Sequence, residues 1–500
     1  MTSNPESGVS ARHEEHAPPA RRRVALVVMS DEHSGLAISG HGHPWIRTPC
    51  IDAFARGATS FLSAYTNSPI CIPARAAFTT GRYAHQTRNW DNAMPYVGEP
   101  RGWTHLLRDA GVDVTSVGKL HFRNEIDDTG FTRQLLPMHV VEGRGDVLGC
   151  VRMPLPVRHK ATTFASEIGI GESSYTAFDR SVAATSLDWI GTQALQPQPW
   201  LLFSSFVAPH FPLIAPEAFA RQYRLDDIPL PKRCHPEERL GEHPFDTALR
   251  ECFAQEPQLF DDERRRRALL SYAGLCSFTD WHFGELCRAL EASGLAEDAL
   301  VLYLSDHGDN MGARGLWGKS TMYEESARIP LLMRAPGCRT RATVTTPVSL
   351  VDVGPTLLDW FGVKPPTDWP GRSLLDIAEA PDDCTRCVFS EYHAAGATTG
   401  MFMLRQGEWK LIHYEGLPPQ LFNLASDPEE LRNVARRPEC ADVLRSLQSQ
   451  LRAVAYTERV DAQAKADQLV LIEACGGRGA VVARGGFGAT PVPGTPAQFL

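Results

Sequence analysis

No apolar run in this chain approaches the length a membrane-spanning helix needs, so no membrane partner is expected. Excess positive charge is missing too. The 50 Lys and Arg against 59 Asp and Glu give a formal net charge of -9 without long single-sign blocks, which leaves no electrostatic footprint for DNA or RNA. An export signal is not legible either: Arg21-Arg22-Arg23 precedes the apolar run Val24 to Met29, which is too short for a signal core and ends against Asp31. A buried strand explains that run better, and the chain is read as cytoplasmic. Cysteine is sparse, with 12 irregularly spaced in 500 residues, which argues for reduced thiols rather than a disulfide framework. Cys384-Thr-Arg-Cys387 has no second pair at zinc-finger spacing, and His13-Glu-Glu-His16 is not the zinc pattern H-E-x-x-H. No repeat at a solenoid period is present.

What is present is enough apolar sequence, 43%, for a large core and more than one ordinary domain. From residue 24 to about 375, short apolar runs alternate with helix-period segments, the pattern of an α/β domain with a largely buried sheet. Val24 to Met29, Val112 to Val117, Trp200 to Val207 and Leu300 to Leu304 are the clearest strands. Trp103 to Ala110 reads as a helix stopped by Gly111, and Trp281 to Ala292 as one stopped by Gly294. Beyond about 378 the pattern changes, because Met401 to Leu404 and Trp409 to Tyr414 flank Gln406-Gly407 like the arms of an antiparallel hairpin. Val443, Leu444, Leu447, Leu451 and Val454 sit at helical spacing and predict an amphipathic helix over that sheet. The expected division is a disordered arm over 1–20, a catalytic domain over 21–377, a smaller α+β domain over 378–475, and a Gly/Pro-rich tail over 476–500. The tail is expected either to wrap a neighbouring subunit or to be disordered, and a homo-oligomer is compatible with it.

Each strong strand is followed at once by groups that bind cations or anions: Asp31-Glu32, then Lys119 and His121, then His210, then Asp306-His307. Ligands of α/β sheets bind outside the carboxyl ends of the strands, so these side chains are expected to converge. Any one of them alone is more often a helix cap, a surface lysine or a satisfied core histidine. A fifth element is Ser68-Pro-Ile-Cys71-Ile-Pro73-Ala-Arg75, running on to Thr80-Gly81-Arg82. Pro73 suits a first helical turn, which places Cys71 at a positive helix N-terminus.

C-x-P-x-R followed by A-x-x-x-T-G-R resembles the signature of the sulfatase family. Gly118-Lys119-Leu-His121, Pro209-His210-Phe-Pro212, Ser305-Asp306-His307-Gly308-Asp309 through Lys319, and Leu421-Phe-Asn-Leu with Asp427-Pro-Glu resemble further family segments in the expected order, over roughly 24 to 455. The resemblance implies an alkaline-phosphatase-like fold, in which a mixed, mostly parallel sheet lies between helices and a smaller C-terminal α+β domain carries an antiparallel sheet. It also implies conversion of Cys71 to formylglycine by a formylglycine-generating enzyme, and one divalent ion held by Asp31, Glu32, Cys71, Asp306 and His307. Hard oxygen donors and one imidazole suit calcium, manganese or magnesium, whereas a thiolate prefers softer ions. By the same resemblance, hydrated formylglycine attacks sulfur while His210 and Lys319 assist the leaving alcohol. Arg75 and Lys119 hold the nucleophile and sulfate oxygens, and His121 takes the proton whose loss expels sulfate.

Thr87 to Asn92 and Asp306 to Lys319 look like the choline-sulfatase branch, allied to phosphonate monoester and phosphodiester hydrolases. Asn92 reads equally as a substrate neighbour or as an Asx-turn. Glu32 stands where that branch usually has Gln, which makes the cation site more negative. His393-Ala394-Ala395-Gly396 lacks the acidic residue of a choline pocket, so choline sulfate is disfavoured among small sulfate esters. The alternatives are a phosphodiester or phosphonate hydrolase using the same residues, a phosphatase or transferase using unmodified Cys71, and a non-catalytic binding protein.

Overall fold

The computed structural model describes residues 23–255 and 261–500. The expected arm, with His13 and His16, lies outside them. Eight strands form the central sheet: β1 Val24–Asp31, β2 Thr59–Phe61, β3 Asp113–Lys119, β4 Arg133–Met138, β5 Trp200–Pro209, β6 Ala299–Ser305, β7 Leu331–Arg334 and β8 Thr343–Val344. Their order is β8-β2-β7-β6-β1-β5-β3-β4, and only β7 runs against the others. The four strands expected from sequence are therefore neighbours and parallel.

The continuous apolar runs reflect burial on both faces. Ala25, Val27 and Met29 of β1 enter one core with Phe78, Trp103 and Val353, while Val24, Leu26 and Val28 enter the opposite core with Trp189, Phe283 and Leu286. Helices α1 Cys71–Thr80 and α2 Trp103–Asp109 cover the first face. Helices α3 Ser174–Gln193 and α4 Asp262–Ala292 cover the second. Trp281 to Ala292, expected as a helix by itself, is the last part of the 31-residue α4.

A separate antiparallel sheet follows, made of β9 Cys387–Tyr392, β10 Met401–Gln406, β11 Trp409–Tyr414 and β12 Leu417–Asn423, paired in chain order. The expected hairpin is β10–β11, with Gln406 opposite Trp409. Helix α5 Ala441–Val454 lays Leu447 and Leu451 onto Phe402, Leu404 and Leu411. Cys384 is exposed and Cys387 opens β9, so the C-x-x-C pair straddles a strand entrance. The tail departs from expectation. After α6 Thr457–Ala474, a further helix α7 Gly477–Arg484 forms, and residues 485–500 fold back onto the same chain beside the catalytic edge of the large sheet. Its order comes from tertiary contacts that Gly- and Pro-rich composition does not reveal.

Candidate active site

Because β6, β1, β5 and β3 are adjacent and parallel, the residues that follow them meet at one sheet edge. Asp31 ends β1, Lys119 ends β3, His210 follows β5, and Asp306-His307 follow β6. Gly118 lets β3 pass close to β5: at φ +99 it occupies the left-handed region, and a Cβ there would lie 2.2 Å from the Ser205 carbonyl oxygen. Glu32 and His121 also take positive φ, 70° and 57°, and strained backbone of this kind concentrates at functional sites.

Cys71 is the first residue of α1, as expected, and is buried. Its Sγ lies 3.2 Å from His307 Nε2, 3.3 Å from Lys319 Nζ and 3.7 Å from Asp31 Oδ1. Burial, followed by Asp31, pushes the Cys71 thiol up to about 12, so an unmodified side chain stays protonated and a poor nucleophile. Asn92 Oδ1 accepts a hydrogen bond from the Ile72 amide at 3.1 Å, pinning the first turn of α1, and Asn92 also lines the cavity in front of Cys71.

Arg75 Nε donates to Asp306 Oδ2 at 2.9 Å, one terminal nitrogen to Asp31 Oδ2 at 2.9 Å, and the other to the Lys119 carbonyl and Ser205 Oγ at 2.7 and 2.9 Å. Through these bonds the Arg75 guanidinium grips the two carboxylates. Lys119 Nζ likewise lies 2.8 Å from Asp31 Oδ2. Burial works against the Asp31 carboxylate, but Lys119, His210 and Arg75 hold it well below the usual range. Asp306 is raised, by burial first and then by Asp31.

The donor set fits a hard divalent cation. Asp31, Cys71, Asp306 and His307 bring ligand atoms within 4.8 Å of one another, and Asp31, Glu32 and His210 form a second such group. His307 Nδ1 donates to the Gly308 carbonyl at 3.0 Å, leaving the Nε2 lone pair for the cluster. Among the described residues the buried Glu32 Oε1 has no hydrogen-bond partner, which leaves it open to a cation, and burial raises the Glu32 carboxyl to about 8. Its other oxygen sits 3.0 Å from Lys319 Nζ and 3.3 Å from His210 Nε2. Only the Cys71 sulfur is chemically out of place in this oxygen-rich set.

The remaining basic groups differ in protonation. Burial disfavours the Lys319 ammonium, yet Cys71, Glu32 and Asp31 raise its pKa well above normal, so it stays charged. Burial, with Lys319 and Lys119, drops His210 well below the histidine range; its Nδ1 lies 2.6 Å from the Phe211 carbonyl. His121 is also held far below its usual range, by burial, Lys119 and Arg75, and among the described residues neither ring nitrogen has a partner. Such an imidazole is neutral and keeps an unused lone pair beside the cavity.

Sequence reasoning missed several contributors. Asp309 Oδ1 accepts from the Met311 and Gly318 amides and so shapes the turn that presents Lys319. Asp179 accepts from the Val207 and Ala208 amides at the end of β5. Tyr175 packs edge-on against His210 with ring centres 6.0 Å apart. Asp309 stood within the motif segment, whereas nothing near Asp179 or Tyr175 in the sequence signals the site. A cavity of about 480 Å³ joins Cys71, Asn92, His121, His210 and Lys319 to Tyr175, Phe211 and the tail.

A nucleophile position at a helix N-terminus, a cation-binding carboxylate cluster and surrounding basic groups define a hydrolytic site for a tetrahedral oxyanion ester. The Sulfatase family model matches residues 23–363, and the model for the C-terminal part of N-sulphoglucosamine sulphohydrolase matches residues 312–457. The chain belongs to the sulfatase family and is a sulfuric ester hydrolase. Arylsulfatase K of Danio rerio is 31% identical over 453 residues, covering 86% of this chain and 83% of that protein. Choline-sulfatase of Rhizobium meliloti (strain 1021) is 31% identical over 437 residues, covering 83% and 82%. Among solved structures, the phosphonate monoester hydrolase of Agrobacterium radiobacter superposes with a TM-score of 0.71 at 23% identity, covering 87% of this chain and 95% of that one. That likeness establishes the common fold.

Proposed function

We propose that the chain hydrolyses small, organic sulfate monoesters with the side chain at position 71 as nucleophile and calcium, manganese or magnesium as its ion. Asp31, Glu32, Asp306 and His307 would hold the cation, which together with formylglycine at 71 would supply an oxygen nucleophile at neutral pH. The observation that carries the reading is the buried Cys71 side chain placed among Asp31, Asp306 and His307 and beside Lys319: an oxygen at this position suits the cluster, and the sulfur does not. Lys319 Nζ stays charged and opposes the negative charge of the sulfate oxygens. His210 Nε2 faces the same space and, once protonated, gives its proton up readily to a departing alkoxide or phenoxide. His121 lines the same cavity with both ring nitrogens unbonded among the described residues, and it accepts the proton in the second half of the cycle. Arg75 and Lys119 fix Asp31 and Asp306.

Choline sulfate is disfavoured: His393 is buried against Glu391 Oε2 at 3.0 Å, and from 393–396 only Ala395 reaches the cavity. The division into a catalytic unit over 21–377 and a smaller one over 378–475 belongs to the same proposal and is supported by the change of sheet at Cys387. A cytoplasmic setting is supported by all twelve cysteines being free. The test is turnover of matched sulfate and phosphate aryl esters by chelated protein and by protein given back calcium, manganese or magnesium. Metal-restored hydrolysis favouring the sulfate ester is expected. A preference for the phosphate ester, or equal rates after chelation, would overturn the reading.

A further inference from the structure

Residues 485–500 contain no charged side chain, yet they close over a cavity built to bind an anion. The segment forms a ring. The Gly486 amide donates to the Leu500 carbonyl at 3.1 Å and the Leu500 amide to the Gly486 carbonyl at 3.0 Å. Phe487 and Phe499 pack edge to face with centres 5.5 Å apart, and the Arg484 guanidinium lies 4.2 Å above Phe499 while pairing with Glu142. Gly485 makes the closure possible: its φ is +75, and a Cβ would stand 2.2 Å from the Leu500 carbonyl oxygen. A second attachment reaches the chemistry, because the Tyr175 hydroxyl donates to the Thr490 carbonyl and the Tyr175 ring packs on His210. Phe487, Thr490, Pro491, Pro496 and Gln498 line the same cavity as Cys71, His121 and Lys319.

Resting on the sulfate-ester reading, we propose that this loop is the substrate-selecting element of the enzyme. It confines turnover to sulfate esters of compact, uncharged phenols and alcohols and rejects sulfated oligosaccharides. A volume of about 480 Å³ is that of a small-molecule pocket. Opposite the uncharged tail the cavity is lined by Asp146, Glu167, Arg158 and Lys160, acids and bases in equal number with Arg158 paired to Asp146, so a glycan bearing further sulfates would strip water from those charges with little net counter-charge to offset it. The prolines at 491, 493 and 496 limit the backbone freedom the loop loses on ordering.

The experiment compares the full-length protein with Phe499→Ala and Gly485→Ala, whose positions hold the ring closed without lining the cavity. Substrates are 4-nitrophenyl sulfate and a sulfated oligosaccharide. The unsubstituted enzyme should hydrolyse the aryl ester and neglect the oligosaccharide. In both variants KM for the aryl ester should rise while kcat holds, and the aryl-to-oligosaccharide ratio of kcat/KM should fall about tenfold or more, the sign of lost uniform binding rather than lost chemistry. Hydrogen exchange on the unsubstituted chain gives a second reading: 4-nitrophenyl sulfamate should slow exchange over 486–500. An unchanged ratio in folded variants, unchanged exchange, or equal use of both substrates by the unsubstituted enzyme overturns the loop's role alone. Failure to hydrolyse either ester when Cys71 has lost its thiol overturns the sulfatase reading and the loop's role with it.

Discussion

Arg75→Lys separates a residue that shapes the cation site from one that grips sulfate. Arg75 reaches Asp31 and Asp306 at 2.9 Å each and also the Lys119 carbonyl and Ser205, all from within the protein. A lysine is a point charge on a flexible stem and does not reproduce that fork. One buried carboxylate then loses a charge-assisted hydrogen bond, a loss of about 1.5–3 kcal/mol. Expressed as affinity for the divalent ion, that is a weakening of about 10- to 150-fold, in line with the effect of losing a partner behind a metal ligand. Calorimetric titration of manganese into chelated protein measures it. At saturating manganese, KM for an aryl sulfate should be unchanged. A rise in KM with metal affinity intact would refute the reasoning and return Arg75 to the sulfate.

Two further substitutions probe other parts of the account. His121→Ala leaves Lys319 and His210 in place, so stopped-flow kinetics should show one equivalent of phenol released quickly, followed by steady turnover slower by about 10²–10⁴; uniform slowing without a burst would contradict the role. Lys410→Met strands Glu324 and Glu430, whose oxygens lie 2.9 and 2.8 Å from the buried Lys410 ammonium, and should cost about 3–5 kcal/mol in denaturant unfolding with KM unchanged. Unaltered stability would show that the pair does not join the smaller sheet to the catalytic unit.

The sheet was legible because strands buried on both faces must be apolar throughout, and β1, β5 and β6 are such runs. The site was legible because parallel neighbouring strands end together, so residues hundreds apart in sequence declare their convergence by following strands. Burial hid other features. In α4 nearly every residue from Ala268 to Gly284 is buried, which erases the alternation that marks a surface helix. The partners of Arg75 were hidden because a motif names a residue and not the atoms it faces. The tail misled by composition: its contacts reach Tyr175 and Glu142, more than 300 residues away.

The central claim concerns one side chain, and mass spectrometry of the peptide spanning residues 68–82 from an active preparation measures it directly. The account predicts an aldehyde or its hydrate at position 71, with activity scaling with the converted fraction. A full complement of thiol in active enzyme would contradict it.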